Sequence, residues 1–203
     1  MEKEILNIAQ RIQAIAQTGL HYIQNDFDRQ RYSELRELSV LLASKISDAE
    51  INKIRDIFTS DTGYQTPKID IRSVVIKDDK ILLTRERIDN KWSLPGGFAD
   101  INYSPSEVAV KEALEETGLK VKCERLLAVV DTNKHGFPPL EYHYYKMIFQ
   151  CSIIGGELKG SNETLESRFF SFDGLPELST MRNTEELFRL IRKQLSYNIT
   201  YVD

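Results

Sequence analysis

Gly96-Gly97-Phe98-Ala99-Asp100-Ile101-Asn102-Tyr103-Ser104-Pro105-Ser106-Glu107 opens a segment, continuing to Leu119, in which a turn, a helix start and a group of acids follow in sequence. Ser104 suits an N-cap, Pro105 the first helical position, and Glu107 the third residue of a capping box. Gly118 suits the C-terminal stop. The predicted helix is therefore Ser106–Thr117. At 3.6 residues per turn, Glu112, Glu115 and Glu116 fall within an arc of about 100°. Val110, Ala113, Leu114 and Thr117 lie opposite them as candidate core residues, and Val108 and Ala109 share the glutamate side one turn earlier.

Three carboxylates at this spacing work against the helix. Each like-charged neighbour pair costs roughly 0.2–0.5 kcal/mol, and Glu115 and Glu116 sit in the last turn, where the helix dipole favours cations. A divalent ion would reverse both penalties. Oxygen ligands with no His or Cys beside them favour Mg²⁺ or Mn²⁺ over Zn²⁺. A merely solvated acidic face is the alternative, and the Gly-Gly turn at its set distance from the acids argues against it.

Around this segment the pattern alternates between strand and helix. Ile69–Ile76 reads as a strand, Lys77-Asp78-Asp79-Lys80 as a tight turn, and Ile81–Thr84 as the returning strand. Further strands are predicted at Leu126–Asp131, Tyr142–Ser152 and Arg168–Phe172, with a second helix at Asn183–Leu195. Strands and helices without regular alternation indicate an α+β fold with a layered mixed sheet. Residues 64–203 are assigned to this domain.

Residues 1–63 read differently. Ile5, Ile8, Ile12 and Ile15 recur at helical spacing, with a stop expected near Thr18-Gly19. A second helix is expected from about Asp28, carrying Tyr32, Leu35, Leu38, Leu41 and Leu42. A third is expected after Ser47 as N-cap, carrying Ile51, Ile54 and Ile57. Thr59–Pro67 is rich in turn residues and reads as a linker. These helices carry no catalytic pattern, but their apolar stripes need burial on the second domain or on another copy of the chain.

Composition narrows the class. A net charge of −4 argues against a broad nucleic-acid surface. No apolar run approaches the roughly 20 residues of a membrane span. Met1-Glu2-Lys3-Glu4 lacks the basic and apolar regions of a signal peptide. Cys123 and Cys151, the two cysteines, lack metal-ligand spacing and read as buried reduced thiols. A cytoplasmic protein is expected.

The Gly97–Leu119 segment resembles the signature of the Nudix hydrolases, G-x5-E-x7-R-E-U-x-E-E-x-G-U, where U is a bulky aliphatic residue. Gly97, Glu112, Glu115, Glu116, Gly118 and Leu119 match at the correct spacings. Tyr103, Lys111 and Ala113 depart from it, standing where the family has Glu, Arg and an aliphatic residue. Trp92-Ser93-Leu94-Pro95-Gly96-Gly97 and the stretch Glu163–Phe170 followed by Leu175-Pro176-Glu177-Leu178 are also similar to family segments. The resemblance covers roughly Ile69–Leu195. The chain is further similar to members with a helical N-terminal domain, of CDP-choline pyrophosphatase and ADP-ribose pyrophosphatase type, which also tolerate Tyr at the first Glu. Arg11–Gly19, His135–Pro139 and Tyr142–Lys146 carry this narrower likeness.

The resemblance implies an α/β/α sandwich with a mixed sheet, preceded by a small all-helical domain. It implies a pyrophosphohydrolase that uses Mg²⁺ or Mn²⁺ to cleave a nucleoside diphosphate joined to another group. Either CDP-choline would give CMP and phosphocholine, or ADP-ribose would give AMP and ribose 5-phosphate. The implied metal ligands are the Gly96 carbonyl, Glu112, Glu115 and Glu116; Glu112 is alternatively a base or a brace. Glu116 belongs to the catalytic set, and Glu163 is the candidate base on a later loop, ahead of Glu166. In the family the first Glu and the Arg chiefly brace the loop against the helix, so Tyr103 and Lys111 bear on that brace. Arg85, Arg87 and Lys91 are placed to reach phosphates. His135 is a candidate substrate contact and His143 a structural residue. Tyr144, with Phe137 and Tyr142, is a candidate for stacking on a base. The helical segment is expected to form a homodimer interface and to roof the partner's site. A nucleotide-sensing module that has lost catalysis is the rival reading, as is an enzyme of RNA ends; retention of all three glutamates favours an enzyme over the sensing module, and no long basic stripe favours RNA ends.

Overall fold

The isoleucine and leucine periodicity of the first sixty residues gives three helices, yet only part of that pattern is buried within the chain. The structure is a computed structural model that describes all 203 residues. Its helices α1 (Glu2–Tyr22), α2 (Asp26–Ser44) and α3 (Ile51–Thr59) form one compact unit, Met1–Pro67 with Pro139–Tyr142. Its core is Ala9, Val40, Ala43, Ile54 and Phe58. Gln13 completes it by donating to Phe58 O at 2.6 Å and to Gln17 Oε1 at 2.8 Å. Ile8, Ile15, Leu35, Leu38 and Leu41 remain exposed. Small residues of α1 and α2 meet Ile54 and Phe58 of α3, with Leu42 and Ile57 packed against them.

Two expected boundaries move. α1 runs through Gly19 because this glycine makes room for α2: a Cβ there would lie 2.5 Å from the Tyr32 ring. α2 starts earlier than expected because Asn25 caps it, its side chain accepting from Asp28 N at 2.9 Å. Ser47 does not cap α3; its hydroxyl accepts from Ala49 N in a local turn, and Glu50 holds the N-cap position without a side-chain bond.

The second unit, Lys68–Pro138 with His143–Asp203, is an α/β/α sandwich on a mixed sheet. Its strands are β1 (Lys68–Lys77), β2 (Lys80–Glu86), β3 (Trp92–Ser93), β4 (Leu119–Asp131), β5 (Tyr144–Gly156), β6 (Thr164–Ser171) and β7 (Tyr201–Val202). The sheet order is β3-β2-β1-β5-β4-β7, with β6 also paired to β2. β1·β5 and β4·β7 are parallel, and the remaining pairs antiparallel. Asp78 and Asp79 both take positive φ, 51° and 58°, as a two-residue hairpin of type I′ requires. β4 begins seven residues before its expected start, because the polar positions Lys120, Lys122 and Glu124 alternate outward along an edge-facing stretch. β5 is likewise longer than expected at its end, and β6 starts earlier.

Two helices cover the sheet: α4 (Pro105–Thr117) packs on β1, β4, β5 and β6, and α5 (Glu185–Leu195) on β4. Under α4, Val108, Ala109 and Ala113 meet Ile71, Val75, Leu82, Val121 and Phe149. Leu114, expected in this core, is instead partly exposed, and Glu116 takes a buried place beside Ala113. Leu187, Phe188 and Ile191 are the buried face of α5.

On β1 the alternation that turns Ile71 and Val75 toward α4 turns Asp70 and Arg72 to the other face. All three members of an Asp70–Arg72–Lys146 network are buried. The Arg72 guanidinium grips Asp70 through two bonds of 2.7 and 2.9 Å, and Lys146 Nζ reaches Asp70 Oδ2 at 3.1 Å. Burial would raise the Asp70 pKa, but the two cations hold it below the ordinary carboxylate range. Removing one partner of such a buried set strands the others. Asp70→Ala is expected to cost about 3–5 kcal/mol in urea unfolding; a loss below about 1 kcal/mol would show that the cations relax to solvent.

Candidate active site

β1 pairs with β2 only near the hairpin, at Ile76↔Ile81 and Lys77↔Lys80. Below this the strands part, β2 toward β6 and β1 toward the Leu94–Ala99 stretch. Ser73 N donates to Pro95 O at 2.8 Å, Ile71 N to Gly97 O at 2.8 Å, and Ala99 N to Ile69 O at 3.0 Å. Gly96 lies between these bonds with φ 143°, and a Cβ there would sit 2.0 Å from Ile71 O. No other residue can occupy this position without displacing β1. The capping box of α4 forms as expected, with both Ser104 and Glu107 bonds present, and Gly118 ends the helix with φ 77°. Helix and loop are thus fixed separately, and their meeting point is Glu116: Gly96 N donates to its Oε2 at 3.1 Å.

Glu116 is 6% exposed. Burial is the main cause that pushes its pKa up to about 8; Arg72 opposes the shift, Glu86 and Glu112 add to it, and the Gly96 amide opposes it. Glu112 is also raised, first by burial, against Lys111, with Glu115 and Glu163 adding. The fields therefore place Glu112, Glu116 and Glu163 in one neighbourhood. Glu163 comes there through the loop before β6, where Thr164 Oγ1 donates to Glu116 O at 2.9 Å. Glu115 is exposed and turns toward Lys111, whose ammonium lies 3.0 Å from Glu115, 3.2 Å from Glu112 and 3.3 Å from Asp100. The carboxylates are shared with this lysine, and no three acidic, His or Cys side chains converge on a single point. The Lys111–Asp100 pair ties the glycine loop to α4, so an acid inside the loop supplies the contact that Tyr103 cannot.

The remaining sequence candidates scatter. Arg87 approaches the Glu163 loop: its N–H donates to Glu163 O at 3.3 Å and its guanidinium to Ser161 O at 3.1 Å. Arg85 donates to Asn90 O and pairs with Glu166 at 3.4 Å. Glu166 also holds Arg168 at 2.7 Å, and Lys91 pairs with Glu177 at 2.8 Å. His135 is buried, its Nε2 2.9 Å from Asp203. His143 pairs with Asp131 at 2.9 Å. Tyr144 stacks with Phe98, with ring centroids 5.8 Å apart and planes at 13°.

The reading of the motif misses Glu86. It is buried, bonds to Ser93 Oγ and pairs with Arg182 Nε at 3.2 Å, and its field reaches Glu116. Its signal in the sequence is phase: Leu82, Thr84 and Glu86 alternate on one side of β2, so a charge falls on an inward position. Asp70 and Arg72 give the same signal on β1.

A profile of the NUDIX domain matches residues 67–191, and one described as a UDP-X-like, N-terminal oligomerisation domain matches residues 3–58. The chain belongs to the Nudix hydrolase family. A Bacillus subtilis (strain 168) protein provisionally named ADP-ribose pyrophosphatase YjhB is 47% identical over 179 residues, 88% of this chain and 86% of that protein. An ADP-ribose pyrophosphatase of Methanocaldococcus jannaschii is 34% identical over 57% of this chain and 69% of its own length. A crystal structure of a UDP-X diphosphatase superposes over 100% of this Nudix hydrolase and 99% of that chain, with a TM-score of 0.65 and 36% identity.

Carboxylate oxygens are the donor type that a hard divalent cation takes. Glu86 and Glu112 both repel Glu116, which is largely stripped of water, and an oxygen-preferring cation would relieve this. Without such an ion, folded Glu116 keeps its proton up to about pH 8, whereas the unfolded chain loses it near 4.5. The native state binds the extra proton between these values, so this contribution to stability is complete at acid pH and is lost as the pH rises through about 8. In EDTA, the wild-type Tm is expected to fall between about pH 5 and pH 8 more steeply than that of Glu116→Gln. Equal slopes in the two proteins would contradict the buried, protonated carboxyl.

Proposed function

We propose that this Nudix pyrophosphohydrolase uses Mg²⁺ or Mn²⁺ to hydrolyse a nucleoside diphosphate joined to a second group. The observation that carries the reading is Glu116, a carboxyl desolvated beside two others and aimed at the amide of a close-packed glycine. ADP-ribose is the favoured substrate, to give AMP and ribose 5-phosphate, because two relatives bear that name; UDP-linked compounds come next, and CDP-choline third. Glu112, Glu115, Glu116 and the Gly96 carbonyl are assigned as ligands, with Glu115 leaving Lys111 to join them. The bound cation supplies Lewis acidity toward water and neutralises the diphosphate charge. Glu163 accepts the proton of the attacking water, and Glu112 is the alternative acceptor. Water adds to one phosphorus, the bridging P–O bond breaks, and two phosphomonoesters leave. Arg87, near Glu163, is placed to steady the outer phosphate.

Residues 1–63 are assigned as the dimerisation domain. Ile8 and Ile15, 49% and 45% exposed, lie seven residues apart and form an apolar strip on α1, and Leu38 of α2 is 50% exposed. Such a strip on a charged, water-exposed helix pair needs a partner surface. A second copy of the same strip supplies it, in line with the oligomerisation profile over residues 3–58.

Two measurements follow. With Mg²⁺ or Mn²⁺, the wild type is expected to release AMP from ADP-ribose, and Glu116→Gln and Glu163→Gln are expected to lose at least about a hundredfold in kcat. Full turnover by Glu116→Gln would overturn the assignment. In light scattering the wild type is expected to be a dimer and Ile8→Asp/Ile15→Asp a monomer; a monomeric wild type would remove the helical domain's assigned role.

A further inference from the structure

The loop that carries Gly96 and Gly97 displays three large apolar side chains to solvent within six residues. Phe98 is 58% exposed, Ile101 84% and Tyr103 50%. Phe98 is the ordered member. Its backbone is bridged to Asp70, and the flanking bonds from Ile71 N to Gly97 O and from Ala99 N to Ile69 O clamp it on both sides. The ring lies parallel to Tyr144, which enters from β5 on the far side of β1. Asp70, its backbone bridged to Phe98, is buried and paired with Lys146. Phe98 therefore stands as a braced ring with an open side, two residues from Gly96.

We propose that Phe98, backed by Tyr144, is the platform on which the nucleobase of the substrate stacks. This rests on the nucleoside-diphosphate reading given above and adds the base subsite to it. Two residues of extended chain separate Phe98 from Gly96, about 7 Å, and a ribose bridges a base to its phosphates on that scale. Every base offers a π face, so a ring without polar groups recognises base stacking while leaving base identity open. Because the ring is already held by Tyr144 and by the clamped backbone, little freedom is lost when the base lands on it. The substitution pattern of the loop agrees with this use. Asp100 takes the ion pair to Lys111, which leaves position 103 to an aromatic residue on the same exposed loop.

Phe98→Trp gives a direct readout in the absence of both metal and turnover. In EDTA, titration with AMP, UMP or CMP is expected to change the emission of the new indole in a saturable way, and ribose 5-phosphate, which lacks a base, is expected to leave it unchanged. With ADP-ribose and metal, Phe98→Ala is expected to raise KM roughly five- to tenfold with kcat within about twofold, and Phe98→Tyr to restore KM. Unchanged emission with all three nucleotides, or an equal response to ribose 5-phosphate, would overturn the proposal. So would a Phe98→Ala variant that shifts from dimer to monomer, which would assign the ring to a second copy of the chain. Retained hydrolysis at saturating substrate in these variants keeps the pyrophosphohydrolase reading standing even if the base subsite fails.

Discussion

A carboxyl group with almost no water around it, Glu116, is the constraint on which the catalytic unit depends. It can be there only because β1 and β2 separate after the hairpin and because Gly96 presses against Ile71 O, where a side chain would collide. Its one polar partner in the loop is the Gly96 amide. The environment disfavours its charge, and Glu86 and Glu112 deepen the effect. An arrangement that stores unfavourable electrostatics in a well-packed place is stable as a fold because the core under α4 compensates it, and Arg72 and the Gly96 amide offset it only in part. Arg72 is already committed to Asp70 and to Leu94 O.

The helix and its acids were legible in the sequence because local rules write them: a capping box, a proline at the start, a glycine at the end, and three glutamates in one arc. The Gly-Gly turn was legible for the same reason. Glu86, Arg72 and Asp100 were harder: Glu86 and Asp100 pair across strands or a loop, and the Arg72–Asp70 pair forms along one strand on a face the apolar pattern does not mark as charged. The alternation of β1 and β2 does place Arg72 and Glu86 inward, so charges at core-facing phases were the available signal. Asp100 carried no such mark. Its contact with Lys111 appears only when the loop is folded back on the helix.

The helical unit shows the opposite case, where periodicity was right about the elements and misleading about their contacts. Ile8, Ile15, Leu38 and Leu41 define the helices in the sequence but remain at the surface of the single chain. Ala9, Val40 and Ala43 pack with Ile54 and Phe58, and Gly19 admits the Tyr32 ring. Small residues carry little weight in a hydrophobic pattern, so the α1 and α2 side of that contact was hard to see, while Ile54 on α3 was in the pattern. The rest of the pattern marks apolar side chains that stay exposed on this chain.

Direct titration of Mn²⁺ into the protein by calorimetry, in parallel for wild type, Glu112→Gln and Glu116→Gln, tests the central claim most closely. The account predicts saturable binding to the wild type, release of a proton from Glu116 on binding near pH 7, and loss of that binding in Glu116→Gln. Binding of equal strength and stoichiometry in all three proteins would contradict it.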